Sequence, residues 1–335
     1  MTYRGAVLPC ATPIDEGSAL VFAERFQQEP ITEIKFYGRP DCSPEQIKEW
    51  EEAGYIPIDI GPEVSNVKSA SEAVAAGRFG FNEDNRTPGE NRVLDLLARN
   101  NATGYLGHFH MNMAELVRAS YEFSGREHLE VINRLKDVIC VFIDTEDRKA
   151  DNAPYGRSDS DLQQELPDLL EATRKCQFGP LTLGRYLRDL WRFDRPVEEI
   201  REKVGFWLHT WERLREETDR ARQEWPQVEK IEFTVSEIIT GIAIETSSRL
   251  VSKVGAMTVG VLINRNPVTG QTVVKTKRLN LETLSQELNR LEPGRWYYHK
   301  NSGHLINGGP MHPEVEPTGL AIRQLVDLVK QFPPK

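Results

Sequence analysis

Short apolar runs alternating with helical patterns through the first ~150 residues constrain this chain more than any other feature, because that order reads as βαβ units. The runs are "GAVLP", "EIKFYG", "YIPIDIG" and "VICVFID". Between them, "SPEQIKEWEEAG" (43–54) offers Ser43 as N-cap, Pro44 at the first helical position and Gly54 past the end. "RVLDLLARN" and "NMAELVRASYEF" also read as helices. The expected architecture is α/β: a mainly parallel sheet domain with helices on both faces, spanning 1–180.

Residues ~151–180 are turn-rich at first and read as a loop and a short helix. From 181 to 228 a helical connector is expected. Val204, Trp207, Leu208, Trp211 and Leu214 recur there at spacings of three and four, an apolar stripe that suits core packing or a homodimer contact. The third part, 229–335, reads as a smaller mixed α/β domain. It shows a strand pair, "AMTVGVLIN" and "QTVVKTKR", joined by "RNPVTG", then a helix after Asn280 with Leu281, Leu284, Leu288 and Leu291 on one face. A strand "RWYYHK", a glycine-rich turn "NSGHLINGGPMHP" and a helix in "TGLAIRQLVDLVKQF" complete it.

Composition excludes several classes. The chain has 335 residues, 28% of them charged, and a net charge of −9, which argues against broad duplex binding through phosphate contacts. No apolar run approaches the ~20 residues that cross a bilayer, and the N-terminus lacks a secretory pattern, so a cytoplasmic protein with no membrane partner is expected. Cys10, Cys42, Cys140 and Cys176 form no CxxC pair and are expected to be reduced. G-x-G-x-x-G after the first strand, the P-loop and G-x-S-x-G are all absent, which disfavours nicotinamide, nucleoside-triphosphate and serine-hydrolase chemistry.

Three aspartates stand directly after or inside apolar runs: Asp15 in "PIDEGSA", Asp59 in "YIPIDIGP" and Asp144 in "VFIDTEDRKADN". In open parallel sheets, ligands bind at the carboxyl ends of the strands, so acids at successive strand ends can converge. Convergent carboxylates are what Mn²⁺ or Mg²⁺ needs. A second reading stands beside this one. Asp15 can cap a helix starting at Gly17, Asp59 can serve the Ile60-Gly61-Pro62 turn, and Asp144 and Asp147 can start a helix or loop.

At these residues the chain resembles the DHH phosphoesterase superfamily, and within it the Myg-type exonuclease branch. "IDEGSAL", "IDIGP" and "FIDTEDRKADN" echo its acidic segments, and the part from ~230 onward resembles the DHH-associated domain, with "HKNSGHLINGGPMHP" as its glycine-rich end. The chain departs from the family in having "LPCATP" where imidazoles precede the first Asp, and no histidine in "EVSNVKSASEAVAAGRFGFNEDN". The resemblance implies a metal-dependent phosphoesterase acting on a short nucleotide or oligonucleotide between two domains. In that reading Asp15, Asp59 and Asp144 hold Mn²⁺ or Mg²⁺. The alternative is a catalytically inactive binding or scaffold protein of the same fold.

His108 and His110 in "GYLGHFHMNM" are candidates for the missing catalytic imidazoles; on a strand both rings would share a face, whereas in a loop or cap they would not. His299, His304 and His312 lie in the glycine-rich stretch. Gly303, Gly308 and Gly309 let backbone approach a phosphate, with Lys300 and Arg295 supplying charge, or they serve a tight turn at positive φ. Lys275, Lys277 and Arg278 of "VVKTKR" offer a basic wall or a charged edge strand.

Overall fold

The computed structural model describes residues 3–38, 42–58, 69–75, 86–123, 127–176, 178–276, 278–299, 303–309 and 313–332. By internal contacts the chain forms two units, the first of residues 1–37 and 42–214 and the second of residues 38–41 and 215–335.

In unit 1, β1 (Gly5–Pro9) leads through α1 (Ile14–Gln27) to β2 (Glu33–Tyr37), then through α2 (Pro44–Glu52) to β3 (Tyr55–Pro57). The strands form a parallel sheet in the order β2-β1-β3, in which Gly5 pairs with both Glu33 and Tyr55. The chain leaves β1 for one neighbour and returns on its other side, so the carboxyl edge between β1 and β3 is a topological switch point. Strand alternation sorts the side chains: Ala6, Leu8 and Ile56 join the main core, whereas Val7 and Tyr55 pack with Ile47 and Trp50 of α2 on the other face. The α2 punctuation is as the sequence implies, with Ser43 Oγ accepting from Gln46 N at 3.2 Å and Gly54 at φ 80.

The rest of unit 1 is helical: α3 (Ala70–Ala75), α4 (Pro88–Thr103), α5 (Met113–Phe123), α6 (His128–Ala150), α7 (Asp159–Glu165), α8 (Pro167–Ala172), α9 (Leu183–Arg192) and the part of α10 (Val197–Glu224) up to Leu214. "VICVFID" is therefore not a fourth strand but the middle of α6. A short apolar run does not distinguish strand from buried helix, and here the flanks decide. Val131, Leu135, Val138 and Phe142 continue one helical stripe, and Ile132, Ile139 and Ile143 widen it, because α1, α4 and α9 all pack on α6. Residues of the expected connector also join this core, among them Leu187, Trp191, Val204 and Trp207.

Unit 2 contains β4 (Lys230–Ser236), β5 (Ile239–Glu245), α11 (Arg249–Ala256), β6 (Val261–Arg265), β7 (Thr272–Thr276), α12 (Leu281–Leu291), β8 (Tyr297–His299), β9 (His304–Asn307) and α13 (Ile322–Val329). Its six strands run in the order β4-β5-β6-β7-β9-β8, with β5 and β6 parallel and the other pairs antiparallel. Ala243, Ile263, Val274 and Leu305 share a core with Leu284 and Leu288 of α12 and Val326 of α13. The hairpin β4–β5 and α11 extend the strands that the sequence made legible. Asn280 caps α12 as expected, its Oδ1 accepting from Glu282 N at 3.2 Å, while Leu291 at the helix end is 42% exposed.

Each sheet pairs a glycine with an aromatic ring across a strand boundary. A side chain at Gly5 would overlap the Tyr55 ring, and one at Gly241 would overlap the Phe233 ring of β4. Among the described residues, no helix is long and apolar enough to cross a membrane.

Candidate functional site

Asp15 lies in the first turn of α1 and is 4% exposed. Its Oδ2 accepts from Ala70 N at 2.7 Å and Asn101 Nδ2 at 2.8 Å, and its Oδ1 accepts from Ser71 N at 3.1 Å. Ser71 Oγ donates back to Asp15 O at 2.7 Å. Asp15 thus caps not its own helix, whose N-cap is Pro13 without a side-chain bond, but α3. Burial pushes the Asp15 carboxyl above its ordinary range, opposed by the hydrogen bonds from Ser71, Ala70 and Asn101.

Asp144 does not follow a strand. It sits on α6 with its side chain 52% exposed, and its Oδ1 lies 3.3 Å from Arg25 Nη1. Arg25 also donates to the buried Glu90 at 2.9 Å. About 15 Å of α1 separates Arg25 from Asp15 at the helical rise, so Asp15 and Asp144 are not gathered at one point. Asp147 has a third role, accepting from Gly89 N at 2.6 Å in the first turn of α4. Among the described residues no group of three His, Cys, Asp or Glu is placed to hold a metal ion. Asp59 lies outside the described residues.

His108 closes a 3-10 turn, Tyr105–His108, and is exposed. His110, also exposed, sets its ring edge against Trp211 at 4.6 Å. Neither stands on a strand, so the rings lack the shared face that a strand would give them.

Glu16, Thr12, Tyr121 and His128 meet at the carboxyl edge of the parallel sheet. Thr12 is fully buried and donates to Pro9 O at 2.9 Å. Glu16 is 6% exposed, and burial together with its negative charge pushes the Tyr121 phenol up. Tyr121 therefore stays an O–H at neutral pH. His128, at the start of α6, packs edge-on against Tyr121 at 4.9 Å and Phe36 at 5.1 Å. The sequence singles out Glu16 only as the neighbour of Asp15. Tyr121 and His128 carry no local signal, because helix packing alone brings them to the strand ends.

In unit 2, the glycines serve the turn. Gly303 and Gly308 take φ values of 66 and 67, and a side chain at Gly308 would strike Gln271. Arg295 is engaged within its own unit, donating to Pro317 O at 3.0 Å and pairing with Glu316 and Glu292. His304 is half-buried on β9, in register with Lys275 and His299. Arg278 is exposed and donates to Ile238 O at 3.3 Å. Lys277, Lys300 and His312 lie outside the described residues.

No family model matches the chain, and neither a curated protein nor a solved structure matches it.

Proposed function

We infer that this chain is a nucleotide- or oligonucleotide-binding protein with a DHH-like layout that binds its ligand without metal-dependent hydrolysis. The nucleotide class comes from the sequence resemblance. The commitment of Asp15 carries the rest: its carboxylate receives two backbone N–H groups and one amide N–H. Moving it onto a cation would leave those donors of α3 and Asn101 without acceptors, a cost of about 1–3 kcal/mol for each buried donor.

A metal-dependent phosphoesterase is the second reading, favoured by one observation: Asp15 and Glu16 stand at the switch point of a parallel sheet, where ligands of such sheets bind. Calorimetry with Mn²⁺ separates the two, run beside hydrolysis of short DNA, RNA and 3′-phosphoadenosine phosphate with and without the ion. The binding reading expects nucleotide or oligonucleotide binding and no Mn²⁺-dependent turnover. Turnover that needs Mn²⁺ and disappears in Asp59→Ala would establish the phosphoesterase instead.

A further inference from the structure

Two stretches of the helical part of unit 1 open a helix in the same way. Met111 and Leu181 are buried, and both take left-handed backbone, at φ 50 and 49. That conformation is costly for any residue but glycine, and starting a helix does not require it. The next residue is the cap in each case. Asn112 Oδ1 accepts from Glu115 N at 2.9 Å, and its Nδ2 donates to Phe109 O at 2.9 Å. Thr182 Oγ1 accepts from Arg185 N at 3.4 Å, and its one hydroxyl proton is within reach of Gly179 O at 2.9 Å and Cys176 O at 2.5 Å. Both caps thus hold the amide three residues ahead and reach the carbonyl three residues behind.

The surroundings repeat with the caps. Before α5 stand α4 and the 3-10 turn Tyr105–His108; before α9 stand α7, α8 and the 3-10 turn Arg174–Cys176. At the ends of the leading helices, Thr103 Oγ1 donates to Arg99 O and Thr173 Oγ1 to Leu169 O, each at 2.8 Å. At their starts, Thr87 accepts from Glu90 N and Ser158 from Asp161 N. After α5 and α9 come α6 and α10, the two longest helices among the described residues. Val131, Leu135 and Val138 of α6 match Ile200, Val204 and Trp207 of α10 in spacing and burial. The two series differ where Pro167 splits the second leading helix into α7 and α8.

The two helix starts also bind each other. Asn112 and Thr182 form an antiparallel bridge, in which Met113 N donates to Leu181 O at 2.8 Å and Leu183 N to Met111 O at 3.0 Å. Exchanging the two series carries each bond into the other, which is the mark of a two-fold, self-complementary contact. We propose that residues 87–145 and 158–214 are two copies of one helical motif, docked as a two-fold pair inside the chain through Asn112 and Thr182. The partner that fits the Met111–Met113 surface is thus another copy of the motif that bears it. Neither helix start is complete alone, because the Met113 and Leu183 amides find their acceptors only across the axis.

The test uses thermal melts and amide hydrogen exchange on the full chain. Asn112→Ala and Thr182→Ala should each lower the melting temperature by about 2–4 °C, since each removes a buried cap. Asn112→Thr and Thr182→Asn give each copy the other's cap residue and should lose less than half of what alanine loses. In the parent, the Met113 and Leu183 amides should exchange at rates within about threefold of each other, as members of one opening unit. Asn112→Ala should speed exchange at Leu183 as much as at Met113, and Thr182→Ala should do the same in reverse. A cap acting only on its own helix would leave the amide in the other copy protected as in the parent. That result in both alanine variants overturns the proposal, as do exchanged caps that cost as much as alanine at both positions. The exchanged-cap variants and the parent rates keep the test decisive if an alanine variant fails to fold.

Discussion

Asp15 and Ser71, 56 residues apart in the chain, exchange hydrogen bonds in both directions: the carboxylate accepts the Ser71 N–H and the Ser71 hydroxyl donates to the Asp15 carbonyl. The first turn of α1 and the first turn of α3 are thereby clamped together. α3 spans Ala70–Ala75, far below the length at which a helix persists alone in water, so its existence depends on this clamp and on packing.

Asp15→Ala should therefore destabilise the metal-free protein by roughly 2–4 kcal/mol, because three buried donors lose their acceptor. Asp15→Asn, which keeps one oxygen, should cost less. Urea unfolding in chelator reads both. A side chain kept for metal binding would behave oppositely, since its removal relieves charge repulsion in the empty protein.

The two acids that share Arg25 should differ sharply. Asp144 is half in solvent, and exposed ion pairs contribute about 1 kcal/mol at most, so Asp144→Ala should change stability by less than that. Glu90 has only 5% of its side chain exposed and closes a capping box with Thr87 at the start of α4. Glu90→Ala should cost about 1–3 kcal/mol in the same measurement.

Acid should weaken unit 2 through Glu292. Burial alone would raise its carboxyl, but hydrogen bonds from Thr318, Trp296 and the Gly319 N–H, with Arg295 alongside, hold it below the ordinary value of 4.5. A depressed folded value means the stabilisation is present above 4.5 and is lost as the pH falls through the folded value. Unfolding monitored from pH 6 to about pH 3 should show this loss, and Glu292→Gln should flatten that part of the profile.

Thiol labelling should separate the cysteines by burial. Cys176 is 4% exposed and its thiol is pushed up to about 11 by burial. At pH 8 only about one molecule in a thousand carries the reactive thiolate there. Ellman's reagent should modify Cys176 and the buried Cys42 only after unfolding, with mass spectrometry identifying the sites.

The β1-α1-β2-α2-β3 order was legible because short apolar runs mark the strands and Ser43, Pro44 and Gly54 punctuate α2. The site was less legible, for a reason visible at Asp144. Placing an acid at a strand end requires the strand, and "VICVFI" looks the same in a sheet and inside a helix buried on several sides. Asp15 was read as a cap or a ligand, and the cap turned out to belong to a helix more than fifty residues later, a partner that no local pattern names. Tyr121 and His128 meet Glu16 only through helix packing.

The glycine-to-ring pairs, Gly5 with Tyr55 and Gly241 with Phe233, have a consequence for how sequences of this kind can diverge. Neither partner can be replaced alone without a clash or a hole. In descendants of this chain the two positions of each pair should therefore drift together, leaving correlated columns that record the strand register even where all other similarity has worn away.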